Sequence, residues 1–364
     1  MTTATTFTPA APAPAAPGQP SGLLHAVLDA VLSGVAAPPH PDNVDAIRFP
    51  SGLSPVPFAA VPERLAAVVA DVPRLERLWS RLPPDDAALL VALLAYRVLG
   101  HAKVVLPLGP AARIRELADV ARERLLVEAG TYDIDFLGWQ ADLYDLAPLG
   151  LPIRLHAHIA LILHTFLLDQ YRYDGARQVW VRPGDVVIDG GGCWADTALQ
   201  FAHAAGPDGR VLCFEFDAAN LRLLDANLAL NPELAERIDV LHHPLWDRAG
   251  VPIPFSVSGP GAKVGAGEQV IETRSIDELV ASGRVDRVDF IKLDIEGSEL
   301  PALHGARQTM REFKPRLAIS AYHEDDDLIT IPALLDDLGV GYRYGLDHAT
   351  IHAEETILFA WCED

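Results

Sequence analysis

Several short runs in this chain hold residue types whose spacing can do chemistry. Val186-Val187-Ile188-Asp189-Gly190-Gly191-Gly192-Cys193-Trp194-Ala195-Asp196-Thr197 reads as a strand, a glycine turn and a helix start. Glycines in such a turn permit positive φ and close backbone approach to a ligand. Twenty-six residues after Asp189, Glu215 ends the run Leu212-Cys213-Phe214-Glu215-Phe216. An acid there accepts hydrogen bonds from the ribose hydroxyls of an adenosine cofactor. Asp189, Gly190, Gly191, Gly192, Cys193, Thr197, Glu215 and Phe216 are therefore the expected cofactor contacts.

Two cofactor classes fit this pattern. Gly190-x-Gly192-x-x-Ala195 satisfies the loose dinucleotide fingerprint, so an NAD-linked oxidoreductase is one reading. Asp189 favours the other. A carboxylate directly ahead of the glycines repels a pyrophosphate but favours the sulfonium and ammonium of S-adenosylmethionine.

The second chemical run is Asp289-Phe290-Ile291-Lys292-Leu293-Asp294-Ile295-Glu296-Gly297-Ser298-Glu299. With period two, Lys292, Asp294 and Glu296 share one face, and Ile291, Leu293 and Ile295 the other. Three charges on an interior strand are costly when simply buried; near the strand's C-terminal end they open into the ligand crevice. Lys292 is expected to pair with Asp294 or Glu296. The next strand ends Ile319-Ser320-Ala321-Tyr322-His323, which brings His323 to the same sheet edge. A neutral imidazole there can take a proton from a substrate hydroxyl, while Asp294 and Glu296 orient the substrate or hold a divalent cation. His323, Asp294 and Glu296 are thus the candidate catalytic residues, with His348 a weaker second histidine.

These residues need a scaffold, and the pattern from Val181 onward supplies one. Short apolar runs alternate with helical patterns, as in a doubly wound α/β sheet. Strands are predicted at Val186 to Asp189, Val211 to Phe216, Ile238 to Leu245, Asp289 to Ile295, Leu317 to Tyr322, Tyr342 to Leu346 and Thr356 to Trp361. Helices are predicted near Asp196–Ala205, Ala218–Leu230, Ile276–Ser282, Ser298–Phe313 and Asp327–Leu338, capped among others by Asp217, Ser298 and Asp326 or Asp327. The last two strands have no helix between them and read as an antiparallel edge hairpin.

Ahead of this lies a helix-rich half without a recognisable catalytic motif. Leu23 to Leu32 and Leu89 to Leu99 have helical spacing, Asp85 or Asp86 caps the latter, and Arg113 to Glu128 forms another amphipathic helix. The organisation expected is a disordered Ala/Pro-rich tail over 1–21, a mainly helical accessory or substrate-cap domain over 22–175, and a cofactor-binding domain over 176–364. Gln170 and Tyr171 are placed to fold over the cofactor turn. The Gly259 to Gly267 stretch reads as a surface connector bordering it.

Composition narrows the partners. With 29 Lys and Arg against 50 Asp and Glu, the formal charge is −21, which disfavours nucleic acid. No run approaches the ~20 apolar residues of a membrane span, and the three scattered cysteines fit reduced thiols in a cytoplasmic protein. A small-molecule acceptor is the expected partner, with homo-oligomerisation through the helical half a further expectation.

The segments GDVVIDGGGCWADTALQFA, VLCFEF, FIKLDIEGSELPALHGA and RLAISAYHEDDDLITIP closely resemble the FkbM family of S-adenosylmethionine-dependent methyltransferases. The similarity runs from about Gln170 to the C-terminus. It implies a seven-stranded class I methyltransferase (Rossmann-like) sheet, cofactor contacts at Asp189, Gly191 and Glu215, and chemistry near Asp294, Glu296 and His323. It also implies O-methylation of a hydroxyl on a sugar or secondary metabolite. The chain departs from the usual turn, acid-x-Gly-x-Gly-x-Gly, at Cys193 and Ala195. Both are small, so binding survives if neither position needs positive φ. If either does, a catalytically silent cofactor-binding scaffold becomes the alternative.

Overall fold

The computed structural model describes residues 22–134, 138–256, 259–261, 263–265 and 267–363. The tail expected over 1–21 lies outside them. Three helices open the described chain: α1 (Gly22–Ala36), α2 (Val61–Trp79) and α3 (Pro84–Leu99), followed by α4 (Ala111–Arg124). The helix expected to run to Glu128 stops at Arg124, because Leu126–Asp133 is strand β1. It pairs antiparallel with β2 (Gln140–Asp145), which pairs with β3 (Arg154–Ala157). This small sheet was hidden in the sequence because β1 is exposed along most of its length and lacks the apolar alternation of a half-buried strand.

The cap expected at Asp85 or Asp86 is also absent. Pro83 occupies the N-cap of α3 without a side-chain bond. Asp86 instead accepts from the Tyr173 hydroxyl at 2.7 Å and the Leu346 amide at 2.8 Å, tying α3 to the edge of the main sheet. After β3 the chain makes one turn of α5 (Ile159–Leu161) and a π-helical stretch, Ile162–Leu167. Such bulges are often found at functional sites. A two-residue ladder, β4 (Tyr173–Asp174) with β5 (Gln178–Val179), leads into the main sheet.

Seven strands form that sheet in the order β14-β15-β13-β12-β6-β7-β8. They are β6 (Val186–Gly190), β7 (Arg210–Phe214), β8 (Ile238–Leu241), β12 (Phe290–Leu293), β13 (Arg316–Ser320), β14 (Arg343–His348) and β15 (Thr356–Trp361). Only β15 is reversed, pairing antiparallel with β13 on one side and with β14 on the other, so that β14 and β15 form the predicted edge hairpin. The crossings are α6 (Asp196–Ala205), α7 (Ala218–Leu230), α8 (Pro232–Ala235), α9 (Ile276–Ala281), α10 (Glu299–His304), α11 (Arg307–Phe313) and α12 (Asp327–Asp337). This is the expected Rossmann-like α/β fold behind a mainly helical N-terminal region.

Local corrections have local causes. The helix predicted over Ser298–Phe313 breaks at Gly305, where an added Cβ would stand 2.1 Å from the Trp246 carbonyl oxygen. Ser298 and Asp326 sit at N-cap positions but make no cap bond, whereas Asp217 accepts from the amides of Ala219 and Asn220. The strand from Ile238 ends at Leu241. Beyond it, β9 (Pro252–Ser256), β10 (Lys263–Val264) and β11 (Gln269–Glu272) make a separate antiparallel patch.

Both faces of the main sheet are packed, so its strands are mostly apolar. Ile188, Leu212, Ile291 and Leu317 join α1–α3 and α9–α12 in one core. Val187, Val211, Phe290 and Phe359 join α4, α6 and the small sheet in the other. Among the described residues, no helix is long and apolar enough to cross a membrane.

Candidate active site

The strand order reverses between β6 and β12, with β7 on the far side of β6. A cleft of about 1170 Å³, part of it open to solvent, lies beyond the carboxyl ends of these strands. That is where open α/β sheets bind ligands.

The glycine turn makes one wall. Gly191 has φ +79°, and a Cβ there would fall 1.9 Å from the carbonyl oxygen of Asp294. At Gly192 a Cβ would meet the Cys213 sulfur at 2.1 Å. Packing of the turn against β12 and β7 therefore already demands both glycines. Past them, Cys193 (φ 43°) and Ala195 (φ 66°) are left-handed. Both non-glycine positions thus take positive φ, the condition under which the catalytically silent cofactor-binding scaffold stands as the alternative. The turn must rise from β6 and enter α6 within a few residues, and it closes with Ala195 N–H donating to the Gly192 carbonyl at 2.7 Å. Left-handed conformation costs a residue with a Cβ roughly 1–2 kcal/mol. Such local strain persists where the surrounding packing fixes it.

Asp189 lies behind this wall, and Lys292 reaches from it to the cleft lining. Parallel register sets Lys292 beside Asp189, not beside its own neighbours Asp294 and Glu296. Its ammonium stands 3.1 Å from Asp189 Oδ1 and donates to the carbonyls of Gly190 (3.0 Å) and Gly191 (2.7 Å). Burial opposes that charge, but Asp189 and Asp294 outweigh it and keep the ammonium protonated. Thr197 donates to the other Asp189 oxygen at 2.8 Å. Asp189 is fully buried. Asp189, Gly190 and Gly192 therefore support the turn from behind, while Gly191, Cys193, Thr197, Glu215 and Phe216 face the cleft.

Glu215, just past β7, is shaped by its own loop. Its Oε1 accepts from the Phe216 and Asp217 amides at 2.6 and 2.7 Å, and its Oε2 from Asn220 at 3.0 Å. Burial pushes its carboxyl up to about 7 against these donors. A pair of ribose hydroxyls would relieve that desolvation.

At the opposite wall the acids after β12 meet His323. The His323 Nδ1 donates to Glu299 Oε1 at 2.9 Å, and its Nε2 lies 3.5 Å from Asp294 Oδ1 and 3.9 Å from Glu296 Oε2. Burial opposes the charged ring, but the Glu299 bond and the three carboxylates outweigh it and lift His323 to about 10. The neutral imidazole expected here is corrected: this ring is an imidazolium at neutral pH. Asp294 is held below the usual carboxylate range; His323 and Lys292, with the bond from Tyr171, overcome its burial. Tyr171 donates to Asp294 Oδ2 at 2.5 Å. Glu296 differs from both. It is pushed up to about 7 by burial, and it reaches into the cleft from a left-handed residue (φ 56°).

One donor atom each from Asp294, Glu299 and His323 lie within 4.8 Å of one another. These three are the residues of the cluster that could hold a divalent cation, with Glu299 in the place expected of Glu296. Glu299 is engaged, however: its oxygens accept from the Ile295 amide at 2.7 Å and the Gly297 amide at 3.0 Å.

Further cleft residues came from parts of the chain without a motif. Gln170 donates to Glu355 at 2.7 Å, and Tyr322 to the same oxygen at 3.3 Å. Arg48 pairs with Glu355 at 3.2 Å and with Glu354. Trp139 lines the cleft and stacks on His158, with ring centroids 4.0 Å apart. His164 is kept neutral by burial, which lowers it to about 3. Asp196 opens α6 and also faces the cleft. Asp196 and Glu299 stood inside the informative segments and were passed over; Arg48, Trp139 and Glu355 arrive through tertiary packing alone. His348 is engaged inside the edge hairpin, with Thr356 at 2.8 Å.

Residues 175–344 match the family model of the methyltransferase FkbM domain. Among solved structures, methyltransferase FkbM from Methylobacillus flagellatus KT is similar with a TM-score of 0.53 at 22% identity, over 82% of this chain and 62% of that one. This chain therefore spans less than two thirds of that protein. Fibrillarin from Aeropyrum pernix, solved with natively bound S-adenosyl-L-methionine, is similar at a TM-score of 0.33 and 14% identity, over 65% of this chain and 98% of that one. Precorrin-6y C5,15-methyltransferase from Geobacter metallireducens matches at 0.34 and 14%, over 51% and 84%. No curated protein matches the chain.

Proposed function

We propose, since residues 175–344 match the family model of the methyltransferase FkbM domain, that the methyl donor is S-adenosylmethionine and that the acceptor is a hydroxyl of a small molecule. The observation that carries this reading is one cleft holding both halves of the chemistry. Glu215 stands at its β7 end and Asp294 and Glu296 stand at its β12 end, with the glycine turn between them.

The residues fit such a donor. Glu215 is a buried carboxylate at the cleft wall whose Oε2 accepts one side-chain bond, from Asn220, and has lone pairs left for ribose hydroxyls. Asp294 is an ionised carboxylate on the cleft wall, suited to a nearby sulfonium. When bound by Gly191, Glu215 and Asp294, S-adenosylmethionine would supply an electrophilic methyl group whose sulfur would keep the bonding electron pair on transfer to the acceptor oxygen. Glu296 takes the hydroxyl proton, since a base near 7 facing the cleft is half ionised at neutral pH. His323, already protonated, cannot accept that proton. It counters the carboxylates around it and fixes Asp294 in its ionised form.

The acceptor side of the cleft combines Trp139, Tyr322 and the carboxylates of Glu296 and Glu355. A flat apolar ring beside hydrogen-bond acceptors suits a neutral polyhydroxylated molecule such as a sugar. Incubation with methyl-labelled S-adenosylmethionine and a panel of glycosides tests this arm. Transfer to oxygen that Glu296→Gln reduces supports it; transfer only to nitrogen or carbon acceptors refutes it.

A further inference from the structure

The expected partner for the donor's ammonium was Asp189, which is fully buried and already engaged by Lys292 and Thr197. A different carboxylate stands on the cleft side. We infer that Asp196 is the anchor for the α-ammonium of the methyl donor, at a subsite formed by the first residue of α6 and Thr165. This inference rests on the proposed cofactor.

The route of the ligand follows from the strand order. Glu215 holds the ribose at the end of β7, and the methyl group must face Asp294 and Glu296 past β12. Between these two strands lies β6, so the amino-acid end crosses the turn at Gly191 and meets the start of α6. Asp196 is that start, it is almost wholly buried, and it lines the cleft.

Its carboxylate is held for a ligand. The Thr165 hydroxyl donates to Oδ2 at 2.7 Å. Thr165 is fixed in turn by Gln200, whose Nε2 donates to its carbonyl at 3.0 Å and to Asp169 Oδ1 at 3.0 Å. Among the described residues, no Lys or Arg forms an ion pair with Asp196. Burial raises its carboxyl to about 6 against the Thr165 bond and the Lys292 charge, and a bound ammonium would add a direct partner. The ten-residue helix behind it directs its free N–H groups at the same space, which suits the donor's carboxylate. Acid and helix start together make a receptor for a zwitterion.

Calorimetry of the full chain with S-adenosylhomocysteine and with its deaminated analogue tests the subsite. The analogue keeps the adenosine, the sulfur and the carboxylate. Asp196→Asn is expected to weaken the homocysteine compound about 10- to 100-fold, as for a hydrogen bond to a charged group, and the analogue less than about twofold. Thr165→Val, which leaves the carboxylate but removes its support, is expected to give a smaller loss with the same selectivity. Equal losses for both ligands, or no loss for either, would overturn the subsite while leaving the cofactor in place. A wild-type protein that binds neither ligand would overturn the cofactor as well.

Discussion

Lys292 and Asp189, on neighbouring parallel strands, form a buried ion pair whose lysine also donates to two carbonyls of the glycine turn. One ammonium therefore closes the sheet beneath the cleft and sets the shape of the turn above it. Removing one partner of such a pair strands the other, at a cost of about 3–5 kcal/mol. Lys292→Met is expected to lose that much in urea unfolding, and Lys292→Met with Asp189→Asn to recover part of it. A double variant no better than the single one would mean that the lysine acts through the carbonyls alone.

His323 links stability to alkaline pH. Its folded pKa, about 10, lies above the ordinary 6.5. The stabilisation is therefore complete below about pH 6.5 and drains as the pH rises towards 10. Unfolding free energies measured between pH 6 and 10 should fall through that window, and His323→Gln should flatten the fall. An unchanged slope in the variant would assign the loss to other groups.

Glu296 sets the activity profile instead. With its carboxyl near 7, turnover is expected to rise with pH to a plateau just above neutrality. Glu296→Gln is expected to lower kcat about 10²–10⁴-fold with little change in cofactor affinity. A parallel loss of S-adenosylhomocysteine binding would make Glu296 a binding residue.

Ala195 tests the strain of the turn. Ala195 is the left-handed N-cap of α6 and not a helix-interior residue; relief of a left-handed Cβ returns roughly 1–2 kcal/mol, set against about 0.8 kcal/mol for one buried methyl. Ala195→Gly is thus expected to leave stability unchanged or raise it by up to about 1 kcal/mol. A clear loss of stability would show that packing of the methyl outweighs the backbone.

Much of this was legible because the sheet is apolar and regular. Thr356–Trp361, Asp196–Ala205 and Ala218–Leu230 fall where periodicity placed them. The chemical acids also stood out, since charges next to an interior strand have few other uses. What escaped was decided by neighbours distant in sequence. Period two puts Lys292 on the face of Asp294 but says nothing of register, which pairs it with Asp189. The charge of His323 depends on Glu299, which reads along the chain only as a helix-start acid. Arg48 and Trp139 carry no local signal: Arg48 is held at the cleft by Glu354 and Glu355, and Trp139 by the packing of the small sheet.

The most direct measurement is calorimetric titration of the full chain with S-adenosylmethionine and, separately, NAD, for wild type and Glu215→Ala. The account predicts micromolar binding of the first, on the order of −8 kcal/mol, abolished by the substitution, and no binding of the second. Binding of NAD, or binding of S-adenosylmethionine that Glu215→Ala leaves intact, would contradict it.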